Sequence, residues 1–179
     1  MFALAMAFAL FVTGCGGGGS DSPSESEKAD DIAILNTALG YELTAVDAYT
    51  RGLSRLRGES LDVAREFRAM QQEHLNALTK AIRGLGGRTD VEPADLDLTG
   101  VKTPADALSF IYDQVSAAIA EDMSAVAGLN APWPRSLLAS IAANEAQQLT
   151  VLRQAFGDDA IVSVPYAFEK GETPPPSAR

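Results

Sequence analysis

Three stretches of this chain carry an apolar stripe at helical spacing with polar residues at its centre. That pattern constrains the fold more than any other feature. Apolar positions recurring at alternating steps of three and four lie on one face of a helix. The clearest row is Ala64, Phe67, Gln71, His74, Leu78, Ala81, Leu85, and it holds the only histidine. A second row is Ile32, Leu35, Leu39, Glu42, Val46, Tyr49, Leu53, Leu56. A third is Leu138, Ile141, Glu145, Gln148, Leu152, Ala155. Charges on an inward face are costly unless they are paired. Polar groups at mid-height of several apolar stripes therefore imply that they meet one another inside a bundle.

The punctuation between the stripes sets the layout. The first helix is expected over about 30–57, ended by Gly58, and the second from Ser60, a plausible N-cap, to about Leu85 before Gly86 and Gly87. So short a connection makes the two antiparallel neighbours. The next eighteen or so residues have no sustained period. Extended, they reach roughly 60 Å at about 3.3 Å per residue, more than the roughly 39 Å of a 26-residue helix. They can carry the chain the full height of a bundle. Thr103-Pro104-Ala105-Asp106 then starts a third helix with a Thr cap, a Pro in the first turn and an acid behind it. Its stripe is Leu108, Ile111, Val115, Ala118, Asp122, Ala125, Leu129, and Asn130–Pro134 reads as a turn. A fourth helix is expected over about 135–156, closed by Gly157. The expectation is an all-α four-helix bundle whose connections run short, long, short, with the long crossover between helices 2 and 3.

The 179 residues carry a net charge of −10 and a pI of about 4.5. With no basic stripe, that argues against nucleic acid and against electrostatic docking on anionic lipid. Residues 1–14 are uncharged, and the run from Met1 to Val12 is too short to span a bilayer but suits a signal-peptide core. Val12-Thr13-Gly14-Cys15 resembles a bacterial lipobox, which would lipidate Cys15, the only cysteine. No Lys or Arg precedes the run, unlike the usual signal. On this reading residues 1–15 are a signal peptide, 16–29 a flexible linker, 30–157 the bundle and 158–179 an extension with a Pro-rich, partly disordered end. The protein would be exported and held to the outside of the cell membrane through Cys15.

The segments ILNTALGYELTAVDAY, FRAMQQEHLNALTKAIRGLGG and NEAQQLTVLRQAFG resemble helices 1, 2 and 4 of exported bacterial ferritin-like domain proteins. The resemblance implies a ferritin-like bundle and a di-iron carboxylate centre in the metal-bound members. Such a centre takes a Glu from each of two helices and a Glu-x-x-His from each of the other two. By the resemblance the first-helix Glu falls on Glu42, and the two Glu-x-x-His pairs on Gln71 with His74 and on Glu145 with Gln148. The third-helix Glu would fall near Gln114 or Val115, with Glu121 and Asp122 about two turns further on. Three of the six ligands implied by the resemblance are thus replaced.

Charge arithmetic follows from those replacements. Four carboxylates balance two divalent ions, and only Glu42 and Glu145 remain. A single iron, manganese or zinc ion on Glu42, His74 and Glu145 is one solution. A metal-free layer is the other: His74 carries a proton between the two acids, and Gln71 and Gln148 donate amide hydrogens to them. The first functional reading is a cell-envelope lipoprotein without a complete di-iron centre, in a non-catalytic stress-related or binding role. The alternative is a metal-binding protein or oxidase using the reduced site. Tyr41, Tyr49 and Trp133 read as packing residues. Too few Cys and Met face the interior for copper storage.

Overall fold

The computed structural model describes residues 23–156. Cys15, the stretch read as a signal sequence, the first part of the expected linker and the C-terminal extension lie outside the described residues. Helix α1 spans Glu25–Gly52 and runs into a 3-10 turn at Leu53–Arg55. Helix α2 spans Gly58–Gly84, α3 Pro104–Gly128 and α4 Pro132–Ala155. There is no strand among the described residues, and no described helix is long and apolar enough to cross a membrane.

Three helices begin earlier than the stripes suggest: α1, α2 and α4. Helix α1 has already ended at Gly52, and α2 starts at Gly58 after Arg57. Gly58 thus opens the second helix rather than closing the first, and Ser60 lies inside it rather than capping it. Helix α1 starts at Glu25, not near Asp30, because Ser24 and Glu27 form a capping box: the Ser24 hydroxyl accepts from the Glu27 N–H, and the Glu27 carboxylate accepts from the Ser24 N–H. The polar composition that reads as tether is here a helix start. Helix α4 takes in Pro132, Trp133 and Pro134, since proline's missing N–H costs nothing in the first turn. The corner that leads into it is held from α1. The fully buried Asp31 accepts from the N–H of Asn130 at 2.7 Å and of Ala131 at 2.9 Å. Trp133 is consequently 55% exposed, and Tyr41 is 39% exposed, so neither fills the core as expected.

The crossover runs up the side of α1. Gly87 abuts Ile32, where a Cβ would come within 2.8 Å of the isoleucine. Asn36 donates to the Arg88 carbonyl, and Thr44 accepts from the Ala94 N–H at 2.9 Å. Val101 then enters the core at the far end with Tyr49, Leu56 and Ile111. The connections are short, long, short, as expected. Helix α1 packs on α2 and α3, and α3 on α4. The core is divided. One apolar cluster gathers Tyr49, Leu56, Phe67, Ile111 and Leu152, and the other Leu35, Leu78, Ile82, Leu129 and Leu138.

Candidate metal centre

Between the two clusters lies a layer of buried polar side chains: Glu42 from α1, Gln71 and His74 from α2, Asp122 from α3, Glu145 and Gln148 from α4. Each sits on its helix's inward stripe, so burial of the neighbouring Leu, Ile and Tyr residues carries it inside. Glu42, Gln71 and Glu145 are fully buried, and His74 is 9% exposed. One ligand atom each from Glu42, His74 and Glu145 lies within 4.8 Å of the others. These are the three residues singled out in the sequence.

Helix α3 contributes more than its sequence suggests. Asn130 bonds Asp31, a Cβ at Gly128 would meet Ile34, and one at Gly52 would meet Ile111. That antiparallel register sets Glu42 against the Ile119–Asp122 turn and not against Gln114 or Val115. Asp122 is 1% exposed and stands close enough to feel Glu42. Burial, and then the charges of Glu42 and Glu121, push its carboxyl up to about 8. The layer thus holds three acids. Periodicity put Asp122 on the inward stripe but gave no height, and height was the missing signal.

The polar contacts are few. Gln71 Nε2 donates to Glu145 Oε1 at 2.9 Å, as the metal-free network requires. Gln148 does not follow that expectation. Its Oε1 accepts from the Tyr49 hydroxyl at 3.0 Å and its Nε2 donates to Asn144 Oδ1 at 3.0 Å, so it gives nothing to either glutamate. Tyr49 packs edge-on against Phe67 as expected of a core residue, but it also orients the layer. His74 Nδ1 is 3.4 Å from Glu42 Oε1, an ion-pair contact without hydrogen-bond geometry. Both oxygens of Glu42, Oε2 of Glu145, Oδ2 of Asp122, Oε1 of Gln71 and Nδ1 of His74 are buried without a hydrogen-bond partner.

The electrostatics follow. Burial raises the Glu42 carboxyl, and the neighbouring His74 opposes the rise. Glu145 is raised well above the usual range by burial and by the charges of Glu42 and Asp122, against the Gln71 hydrogen bond. The Tyr49 phenol is pushed up by burial and by the two glutamates. Native interiors hold few buried polar atoms without partners. Three of the residues that carry them, Glu42, His74 and Glu145, offer ligand atoms mutually within 4.8 Å, and two carboxylates with an imidazole are donor types that suit a divalent cation.

A ferritin-like domain model matches residues 30–158. The chain belongs to the ferritin-like domain family. Among solved structures, this ferritin-like domain is similar to a ferritin-like diiron-carboxylate protein from Bacillus anthracis strain Ames, with a TM-score of 0.62 at 19% identity. The match covers 72% of this chain and 96% of that one. At that identity it attests the shared bundle. No curated protein matches the chain.

Proposed function

We propose that this ferritin-like domain holds one divalent transition-metal ion on Glu42, His74 and Glu145, in an exported protein anchored to the outer face of the cell membrane through Cys15. The observation that carries the reading is the set of unpartnered buried atoms on these three residues, within 4.8 Å of one another. The metal-free network balances less well, because Gln148 is engaged elsewhere and Asp122 adds a third acid.

Charge supports one ion. Of the layer's acids, Glu42 and Glu145 belong to the group of converging ligand atoms and Asp122 does not. The negative charges left to balance are those of Glu42 and Glu145, which match a single divalent cation. A second ion would leave net positive charge in a dry interior. Iron, manganese and zinc all accept carboxylate and imidazole donors. A bound ion would supply Lewis acidity there and, if iron or manganese, one-electron redox chemistry. The chain's own part is to hold two carboxylates and an imidazole in a water-poor layer, with Gln71 fixing the orientation of Glu145. A binding or stress-related role at the envelope fits a centre reduced from two ions to one. Lipid attachment rests on the lipobox-like Val12–Cys15 and the Gly-rich segment after it.

Elemental analysis of full-length protein purified without chelators tests the centre. One equivalent of iron, manganese or zinc is expected, lost in His74→Ala and Glu145→Gln. Metal-free wild-type protein, or metal that persists in His74→Ala, overturns the assignment. For the anchor, detergent phase partitioning should move the protein to the aqueous phase in Cys15→Ser.

A further inference from the structure

Trp133 is the chain's only tryptophan and, at 55%, the most exposed large apolar side chain among the described residues. It stands between Pro132 and Pro134 in the first turn of α4, where proline fixes the backbone and its missing N–H costs nothing. Pro134 is buried and holds the turn to the bundle, while Trp133 projects from it. The corner that carries the indole is bound to Asp31 through the N–H groups of Asn130 and Ala131. Gly87, just past α2, abuts Ile32. The start of α1, the close of α2 and the start of α4 therefore share one end of the bundle. That is the end from which the chain runs back toward Cys15. The other exposed large apolar side chains lie away from it, Tyr41 in the middle of α1 and Val151 toward the far end of α4.

We propose that Trp133 seats this end of the bundle in the headgroup layer of the membrane that holds the Cys15 lipid. The proposal rests on the lipid anchor proposed above and adds where the bundle sits on it. Eight residue steps separate Cys15 from Pro23, a reach of at most roughly 26 Å whatever their conformation, at about 3.3 Å per residue. So short a leash keeps the end beside the bilayer at high effective concentration, and a contact too weak to bind a free protein then suffices. Tryptophan suits that contact. Its ring favours the boundary between hydrocarbon and water, with the apolar body inward and the N–H on the wet side. Charge does not oppose it. Over residues 24–31, 80–90 and 130–136, which make up this end, there are five Lys or Arg and five Asp or Glu. The net charge of −10 therefore lies elsewhere in the chain, and this end suits a zwitterionic lipid surface. Seated this way the bundle stands on end. Glu42 is eleven residues along α1 from Asp31, so the polar layer stands roughly 16 Å above the latch.

A lone tryptophan is its own probe. Full-length lipidated protein is placed on phosphatidylcholine vesicles, and its tryptophan emission is compared with that of Cys15→Ser in buffer. The measurement is repeated on vesicles whose acyl chains carry bromine, a contact quencher. On vesicles the emission should move to shorter wavelength, and brominated lipid should quench it. Trp133→Phe combined with Val151→Trp carries the probe to the far end, where brominated lipid should leave it unquenched. Vesicle-bound wild type with unshifted and unquenched emission overturns the seat and leaves the lipid anchor standing. A shift without bromine quenching overturns the seat too, because a protein surface, such as a second copy of the chain, then covers the ring. Equal quenching from position 151 means that the bundle lies on its side, which also overturns it. Protein that does not travel with the vesicles overturns anchor and seat together. If the double variant does not fold, quenching of the wild type decides.

Discussion

On either side of the polar layer the bundle is filled by fully buried Leu35, Leu78, Leu138, Ile111 and Tyr112. Within the layer, buried oxygens of Glu42, Asp122 and Glu145 lack partners. The ends gain from every apolar group they bury. The middle is held in place by its neighbours and costs free energy as long as its charges are uncompensated. Function is therefore to be sought where the fold is least favourable, and substitutions in the two regions should have opposite signs.

The largest contrast comes from the apolar ends. Ile111→Ala removes a fully buried side chain against which Gly52 closes. It should cost about 2–5 kcal/mol in denaturant melts, with or without metal. The middle should respond to pH in the other sense. Unfolded, Asp122 ionises near its ordinary 3.8; folded, near 8. Between those values the folded state keeps a proton that the unfolded state has released, so stability is greatest below the lower value and is lost as pH rises toward the upper one. Glu42 and Glu145, also raised, add in the same direction. Melts of chelated protein should weaken from pH 4 to 8 by on the order of a few kcal/mol, and Asp122→Asn should flatten that slope and raise the melting temperature at pH 8. A slope that is unchanged in Asp122→Asn would place its carboxyl outside the layer.

Zinc should reverse the cost of the layer. At a concentration a hundredfold above its dissociation constant it should stabilise the wild type by about 2.7 kcal/mol, and do nothing for His74→Ala. The smallest effect belongs to the boundary of α1. Ser24→Ala breaks a capping box and should cost about 1 kcal/mol, with loss of amide protection confined to the first turn. A global loss of protection would mean that this turn is part of the cooperative bundle.

Much of this was legible in the residues. The stripes through Glu42, His74 and Glu145 gave the bundle and the three that converge, because helical period fixes which face a residue shares. Period does not fix height between helices. Asp122 is therefore on the right face but, by the resemblance, about two turns beyond the expected ligand position, and contacts at both ends of α1 set the register of α3 that brings it to the layer. Gln148 was on the inward stripe, but its amide direction depends on Tyr49, a residue of another helix whose hydroxyl no spacing rule aims. Ser24 was misread for a different reason: a run of Ser and Glu has the composition of a tether, and only the spacing of Ser24 and Glu27 marks a cap.

Asp31 ties the first helix to the corner between the last two through the backbone of Asn130 and Ala131. A pull applied at residue 23 would therefore be shared at once with that corner, two turns into the helix. Glu42, three turns deeper, would be shielded from strain. Such a latch lets a molecule be leashed by its leading end without its working centre feeling the leash.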